Sequence, residues 1–198
     1  MNLSNPLPAA WKAILCANEA FKITRRVLVR MPGHSNEECQ KALHIFQQSL
    51  RKETLYQGND ALMLLEDEKT APSIEMREIE GLFILYLWAT FERFLRDYLQ
   101  EKGFVLKQYV QPSSLADALY KHFKKNVERW EPKDILDFLK ESVFNTPTLK
   151  PMIEHAKNIY SYRNWVAHAN PNKKTSRRNL ETTFHTLNDI IEILLQTK

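Results

Sequence analysis

Glycine is scarce in this chain: 4 in 198 residues, against a usual ~7%. Gly33, Gly58, Gly81 and Gly103 lie too far apart to cradle a phosphate, so the dinucleotide fingerprint GxGxxG and the P-loop are both excluded. Turn-rich β architectures are disfavoured on the same ground. Cysteine is scarcer still. Cys16 and Cys39 form no CxxC and have no second pair, so neither a disulfide framework nor a cysteine zinc site is indicated, and a reducing cytoplasm is the expected setting. Long apolar runs are also missing. The longest uncharged apolar stretch, Gly81 to Phe91, is far short of the ~20 residues a membrane helix needs, and MNLSNPLPAAWK lacks a basic segment followed by an apolar one. Neither a membrane span nor export is expected. The histidines assemble no ligand set, so no metal or cofactor is indicated.

What the chain does hold is Leu, Glu, Lys, Gln and Ala in quantity, which points to an all-α fold. The expected architecture is a single-domain bundle of about six or seven helices, with residues 1–70 as an N-terminal helical region packed on a core spanning 71–198. A first helix is expected over about Pro8–Arg30, closed by Met31-Pro32-Gly33, with Ser35 to Glu38 offering a capping box for a second that reaches toward Glu68. Gly58-Asn59 is a candidate break in it. Ser73 opens a third, ending at Lys102 with Gly103 as its C′ cap. Its middle, Leu82 to Trp88, is apolar on all sides, which makes it the central helix. Helices over about Ser114–Arg129, Pro132–Phe144 and Thr148–Ala169 follow, the last stopped by Pro171. Leu180, Phe184, Leu187, Ile190, Ile191, Leu194 and Leu195 then form a one-sided stripe on a final helix.

The sixth of these helices carries the unusual chemistry. At about 100° per residue, Arg163 falls in the middle of a sector made by Met152, Ala156, Ile159, Tyr160, Val166 and Ala167. A guanidinium there needs acceptors, so the sequence has provided either a structural partner or a charge kept for a ligand. His168, five residues on, points about 140° away in a straight helix, whereas Asn164 lies one turn before His168 and can touch it. Two geometries would unite Arg163 and His168. Either the helix loosens near Asn170-Pro171 and swings His168 back, or two copies of the helix meet in a dimer and pool two arginines and two histidines into one cleft, which suits a phosphodiester.

Arg163-Asn164-x3-His168, near the end of the penultimate helix of an all-α domain, resembles the active-site motif of the HEPN superfamily. Trp88-Ala-Thr-Phe91-Glu92-Arg93-Phe94-Leu95 resembles the aromatic-plus-Glu stretch of its nucleases. The resemblance covers roughly 73–198 and implies a metal-independent endoribonuclease, a toxin or defence effector acting as a homodimer on RNA, with an antitoxin or other defence-system protein as a possible partner. By that reading His168 moves protons, Arg163 stabilises the phosphorane, and Asn164 either orients His168 or holds a phosphate oxygen. Glu92 either holds Arg163, tunes His168, or pairs with Arg96 one turn on. Asn170 stands where small toxins of the family carry a modifiable tyrosine, so that mode of control is not implied.

The formal charge of +4 equals in size one cluster, Lys173, Lys174, Arg177 and Arg178, directly behind the motif and suited to an RNA backbone. A second basic cluster, Lys121, Lys124, Lys125 and Arg129, reads as a solvated face or a further contact. Tyr160, Tyr162 and Trp165 are candidates for base stacking, with Tyr160 equally suited to the core and Trp165 to a dimer interface. A different class of function fits the same residues: a non-catalytic helical module binding RNA, a nucleotide or a protein.

Overall fold

A computed structural model describes residues 3–30, 71–168 and 178–197, except the side chains of 24–30 and 71–78. Among these residues there are six helices and no strand: α1 (Leu7–Arg30), α2 (Ala71–Lys107), α3 (Ser113–Arg129), α4 (Pro132–Ser142), α5 (Lys150–His168) and α6 (Leu180–Gln196). The all-α expectation holds. No described helix is long and apolar enough to cross a membrane. The expected stops at Met31-Pro32-Gly33, Ser35–Glu38, Gly58-Asn59 and Asn170-Pro171, and the second helix, lie outside the described residues.

The chain divides into two compact units, Met1–Trp11 with Glu80–Lys198, and Lys12–Ile79. In the second, Glu19 and Lys22 pair at 2.7 Å one turn apart on α1. The first unit includes the described part of the motif and brings the first turn of α1 together with the far end of the chain. Asn5 donates from Nδ2 to Asn188 Oδ1 (2.8 Å) and Glu192 Oε1 (2.6 Å) on α6, while its own Oδ1 accepts from the Leu7 amide at the start of α1. Trp11 lies flat on Phe184 of α6, ring centroids 4.7 Å apart.

Within this unit α2 supplies the core: Ile84, Leu87, Trp88, Phe91, Phe94, Leu95, Tyr98 and Leu99 are all buried. The helix is not enclosed on every side, as the apolar run suggested. Leu82 and Tyr86, one turn apart, are 60% and 50% exposed. Gly103 is a second correction: it sits inside α2, which continues one more turn to Lys107. A Cβ at Gly103 would come within 2.5 Å of the Phe123 ring of α3, so this glycine serves a close helix contact rather than a helix stop. The C-terminus of α3 is closed by Arg96 of α2, which donates to the Val127 carbonyl and, at 2.9 Å, to the Trp130 carbonyl. These are the acceptors a helix end leaves without partners.

The other boundaries follow local chemistry. Pro132 stands in the first turn of α4, where its missing N–H costs nothing. Asn179 caps α6, its Oδ1 accepting from the Thr182 amide at 2.9 Å. The inner face of α6 is Thr183, Leu187, Ile190, Ile191 and Leu194, a stripe at helical spacing.

Candidate functional site

Helix α5 is set by Ile153, Ala156, Ile159 and Tyr162, buried three residues apart along one broad face. It meets α2 at two points. Tyr160 packs on Trp88 with centroids 5.2 Å apart, and Val166 lies against Gly81, where an added Cβ would be 3.1 Å from Val166 Cγ1. On its other flank Lys157 pairs with Asp137 of α4, and Glu154 accepts from Lys140 of α4 at 2.5 Å. The Lys140 hydrogen bond, with Lys157 adding to it, holds the Glu154 carboxyl below the usual glutamate range.

Arg163 projects from the last turns of this anchored helix and is half-buried. Of the expected sector, Ala156 and Ile159 are buried and Met152, Tyr160 and Val166 half-buried, but Ala167 is exposed, because the end of α5 is leaving the core. The guanidinium is only partly satisfied. Its Nη1 donates to Asn164 Oδ1 at 2.9 Å, while its Nε is buried and has no hydrogen-bond partner among the described residues. An unmade hydrogen bond on a buried donor costs about 1–3 kcal/mol. Asn164 therefore engages Arg163 in this structure, the neighbour that sequence spacing did not single out.

His168 is the final residue of α5 and is exposed. Because the helix is unbroken up to it, Arg163 and His168 diverge by about 140° within one chain. A loosening that swings His168 back does not occur up to that residue.

Of the roles open to Glu92 the structure shows the pair with Arg96, and it buries Tyr162 rather than leaving it open for stacking. Glu92 Oε2 accepts from the Trp88 indole at 3.1 Å, and its Oε1 accepts from Arg96 Nη2 at 2.8 Å and Nε at 3.3 Å. Both oxygens are thus engaged by side chains of α2, and neither by Arg163 or His168. Tyr162 is 6% exposed and stacks on Trp165 at 5.8 Å. A base arriving from solvent finds no open face on it. Trp165 is half-buried.

Lys173, Lys174 and Arg177 lie outside the described residues. Arg178, just before α6, is half-buried with its Nε also buried and unpartnered among the described residues. Lys121, Lys124, Lys125 and Arg129 are all exposed along α3. No group of three or more His, Cys, Asp or Glu side chains suited to a metal occurs among the described residues. Sequence reasoning had Arg96 only as a partner for Glu92 one turn away; that it also joins α2 to the end of α3 has no local sign. Comparison with protein-family models, curated proteins and solved structures finds no match to this chain.

Proposed function

We propose that this chain is a metal-independent endoribonuclease, a toxin or defence effector, whose site is completed when two copies bring their α5 ends together. The observation that carries the reading is the state of Arg163: a half-buried guanidinium, steadied through Nη1 by Asn164, with Nε unpartnered among the described residues, on the same helix end as an exposed His168. A phosphate oxygen is the acceptor that a guanidinium fork fits best.

In this reaction the RNA 2′-OH attacks the adjacent phosphorus. One imidazole takes the 2′-OH proton, the P–O5′ bond breaks, and a proton is delivered to the departing 5′-oxygen. Imidazole is the side chain that exchanges protons near neutral pH, and a pooled pair of His168 rings supplies both an acceptor and a donor. Arg163 stabilises the additional negative charge on the phosphorane. The products are a 2′,3′-cyclic phosphate and a 5′-OH. Lys173, Lys174, Arg177 and Arg178 follow His168 in sequence and are proposed to hold the RNA backbone.

The divergence of Arg163 and His168 along a straight α5 is the reason a second copy enters the proposal. The same divergence supports the other reading, a non-catalytic module that binds RNA, a nucleotide or a protein through Arg163 and the basic residues. RNA incubated in EDTA separates the two. Catalysis gives cyclic-phosphate ends, with a loss of roughly 10²-fold or more in folded His168→Ala and Arg163→Ala proteins. Salt-sensitive binding without turnover, or undiminished cleavage by His168→Ala, would overturn the assignment.

A further inference from the structure

Helix α2 runs on past the core that it supplies. Val105 and Leu106 follow Tyr98 and Leu99 by two helical turns and so continue the same face. Tyr98 and Leu99 are 5% and 4% exposed, whereas Val105 and Leu106 are 44% and 64% exposed. Helix α3 accompanies α2 there. A Cβ at Gly103 would meet the Phe123 ring, Lys107 pairs with Asp117, and Phe104 packs edge-on against Tyr120 with centroids 5.5 Å apart. The end of α2 and the start of α3 thus form a projecting two-helix tip.

The tip is apolar on several sides. Phe104, Val105 and Leu106 are consecutive and exposed, so they leave α2 about 100° apart in three directions, while Gly103 and Lys107 occupy the side toward α3. Tyr109 in the turn is 79% exposed, and Leu115 and Leu119 add an exposed pair one turn apart on α3. Singly exposed apolar residues are ordinary, but a contiguous set marks an interaction surface. A flat protein surface, or a two-fold contact with a second copy, covers one side of such a tip and leaves the others in water. A medium that surrounds the tip covers them all.

The charges suit one such medium. From Gly103 to Asn126 the one acidic residue is Asp117, and Lys107 pairs with it. Lys121, Lys124 and Lys125 are exposed and pair with no carboxylate among the described residues. By helical rise they stand about 9 to 15 Å back from Leu115, a collar behind the apolar end. A segment lying in a bilayer interface sinks about 5–10 Å into the boundary of headgroups and acyl chains. At that depth the apolar end is immersed and the lysines reach the level of the lipid phosphates.

We propose that this tip attaches the protein to an anionic lipid bilayer, with Phe104, Leu106, Tyr109, Leu115 and Leu119 in the interface and Lys121, Lys124 and Lys125 on the headgroups. A tyrosine suits that position, its ring among the acyl chains and its hydroxyl in water. The attachment is peripheral, and no described helix crosses the bilayer. Leu106 lies roughly 37 Å along α2 from Gly81, the residue that meets α5, so the inference does not rest on the catalytic reading.

The experiment is flotation of the full chain with vesicles of phosphatidylcholine alone, and of phosphatidylcholine and phosphatidylserine in equal parts. The expected result is binding to the mixed vesicles that salt weakens, reduced roughly tenfold or more in Leu106→Asp, Leu119→Asp and Lys121→Gln/Lys125→Gln proteins. All four side chains are exposed, and melting by circular dichroism checks that each variant remains folded. Depth is read from a Tyr109→Trp protein, whose emission should move to the blue on mixed vesicles by more than that of the wild type. Several results overturn the proposal: no flotation, equal binding to both kinds of vesicle, binding that the aspartate variants leave undiminished, or an unshifted Tyr109→Trp emission. A wild-type oligomer in sedimentation that Leu106→Asp dissociates would overturn it as well, by giving the tip to a second copy.

Discussion

At the scale of single residues, the carboxylate at position 92 does structural work, whereas the guanidinium at position 163 carries the proposed chemistry. Glu92 gathers Trp88 and Arg96, and Arg96 in turn holds the carbonyls that end α3. Glu92→Gln is therefore expected to destabilise the fold by about 1–3 kcal/mol, as a charge-assisted pair is replaced by a neutral one, and to leave RNA cleavage per folded molecule unchanged. Chemical denaturation beside the cleavage assay checks both. Glu154 carries a pH signature. Because folding lowers its pKa, its contribution to stability is present above the ordinary glutamate range, about pH 4.3, and is lost as pH falls through the lower folded value. Lys140→Met is expected to move the Glu154 titration upward in carboxyl NMR and to shrink that acid-side loss. The isolation of Arg163 on an apolar face could be read from spacing alone. The engagement of Glu92 could be read only in part: Arg96 is one turn away in sequence, but the Val127 and Trp130 carbonyls that fix Arg96 are more than thirty residues on.

At the scale of helices, punctuation residues were good guides where the signal was local. Pro132 and the Leu180–Leu195 stripe place α4 and α6 within a residue or two of their observed bounds. Gly103 misled for the opposite reason. Its meaning lies in Phe123, which the chain brings back against it only after the α2–α3 turn, and the continuing apolar run Phe104-Val105-Leu106 was the available sign that the helix goes on. Gly103→Ala gains roughly 1 kcal/mol of helix propensity but drives a methyl into the Phe123 ring, and overpacking costs about 1–3 kcal/mol. The expected net outcome is a lower melting temperature, with a local shift of α3 visible in NMR spectra. A raised melting temperature would show that the Phe123 ring can move aside.

At the scale of the whole molecule, the unit that bears the motif joins the first eleven residues to the last hundred and more, through Asn5 and Trp11 on α6. No local pattern announces such a joining, because it depends on which surfaces meet and not on how either helix forms. Deleting residues 1–6 is expected to leave Asn188 and Glu192 without Asn5, and thus to lower thermal stability, even though it removes no motif residue. The catalytic proposal also belongs at this scale, since an unbroken α5 keeps Arg163 and His168 apart in one copy. Its most direct test is subunit complementation: Arg163→Ala and His168→Ala proteins, each inactive, are unfolded together, refolded as a mixture, and assayed on RNA in EDTA. A site shared between two copies regains part of the wild-type cleavage, with 2′,3′-cyclic phosphate ends, because the mixed dimer holds one intact Arg163 and one intact His168. A mixture as inactive as its parents, beside an active refolded wild type, would contradict the shared site.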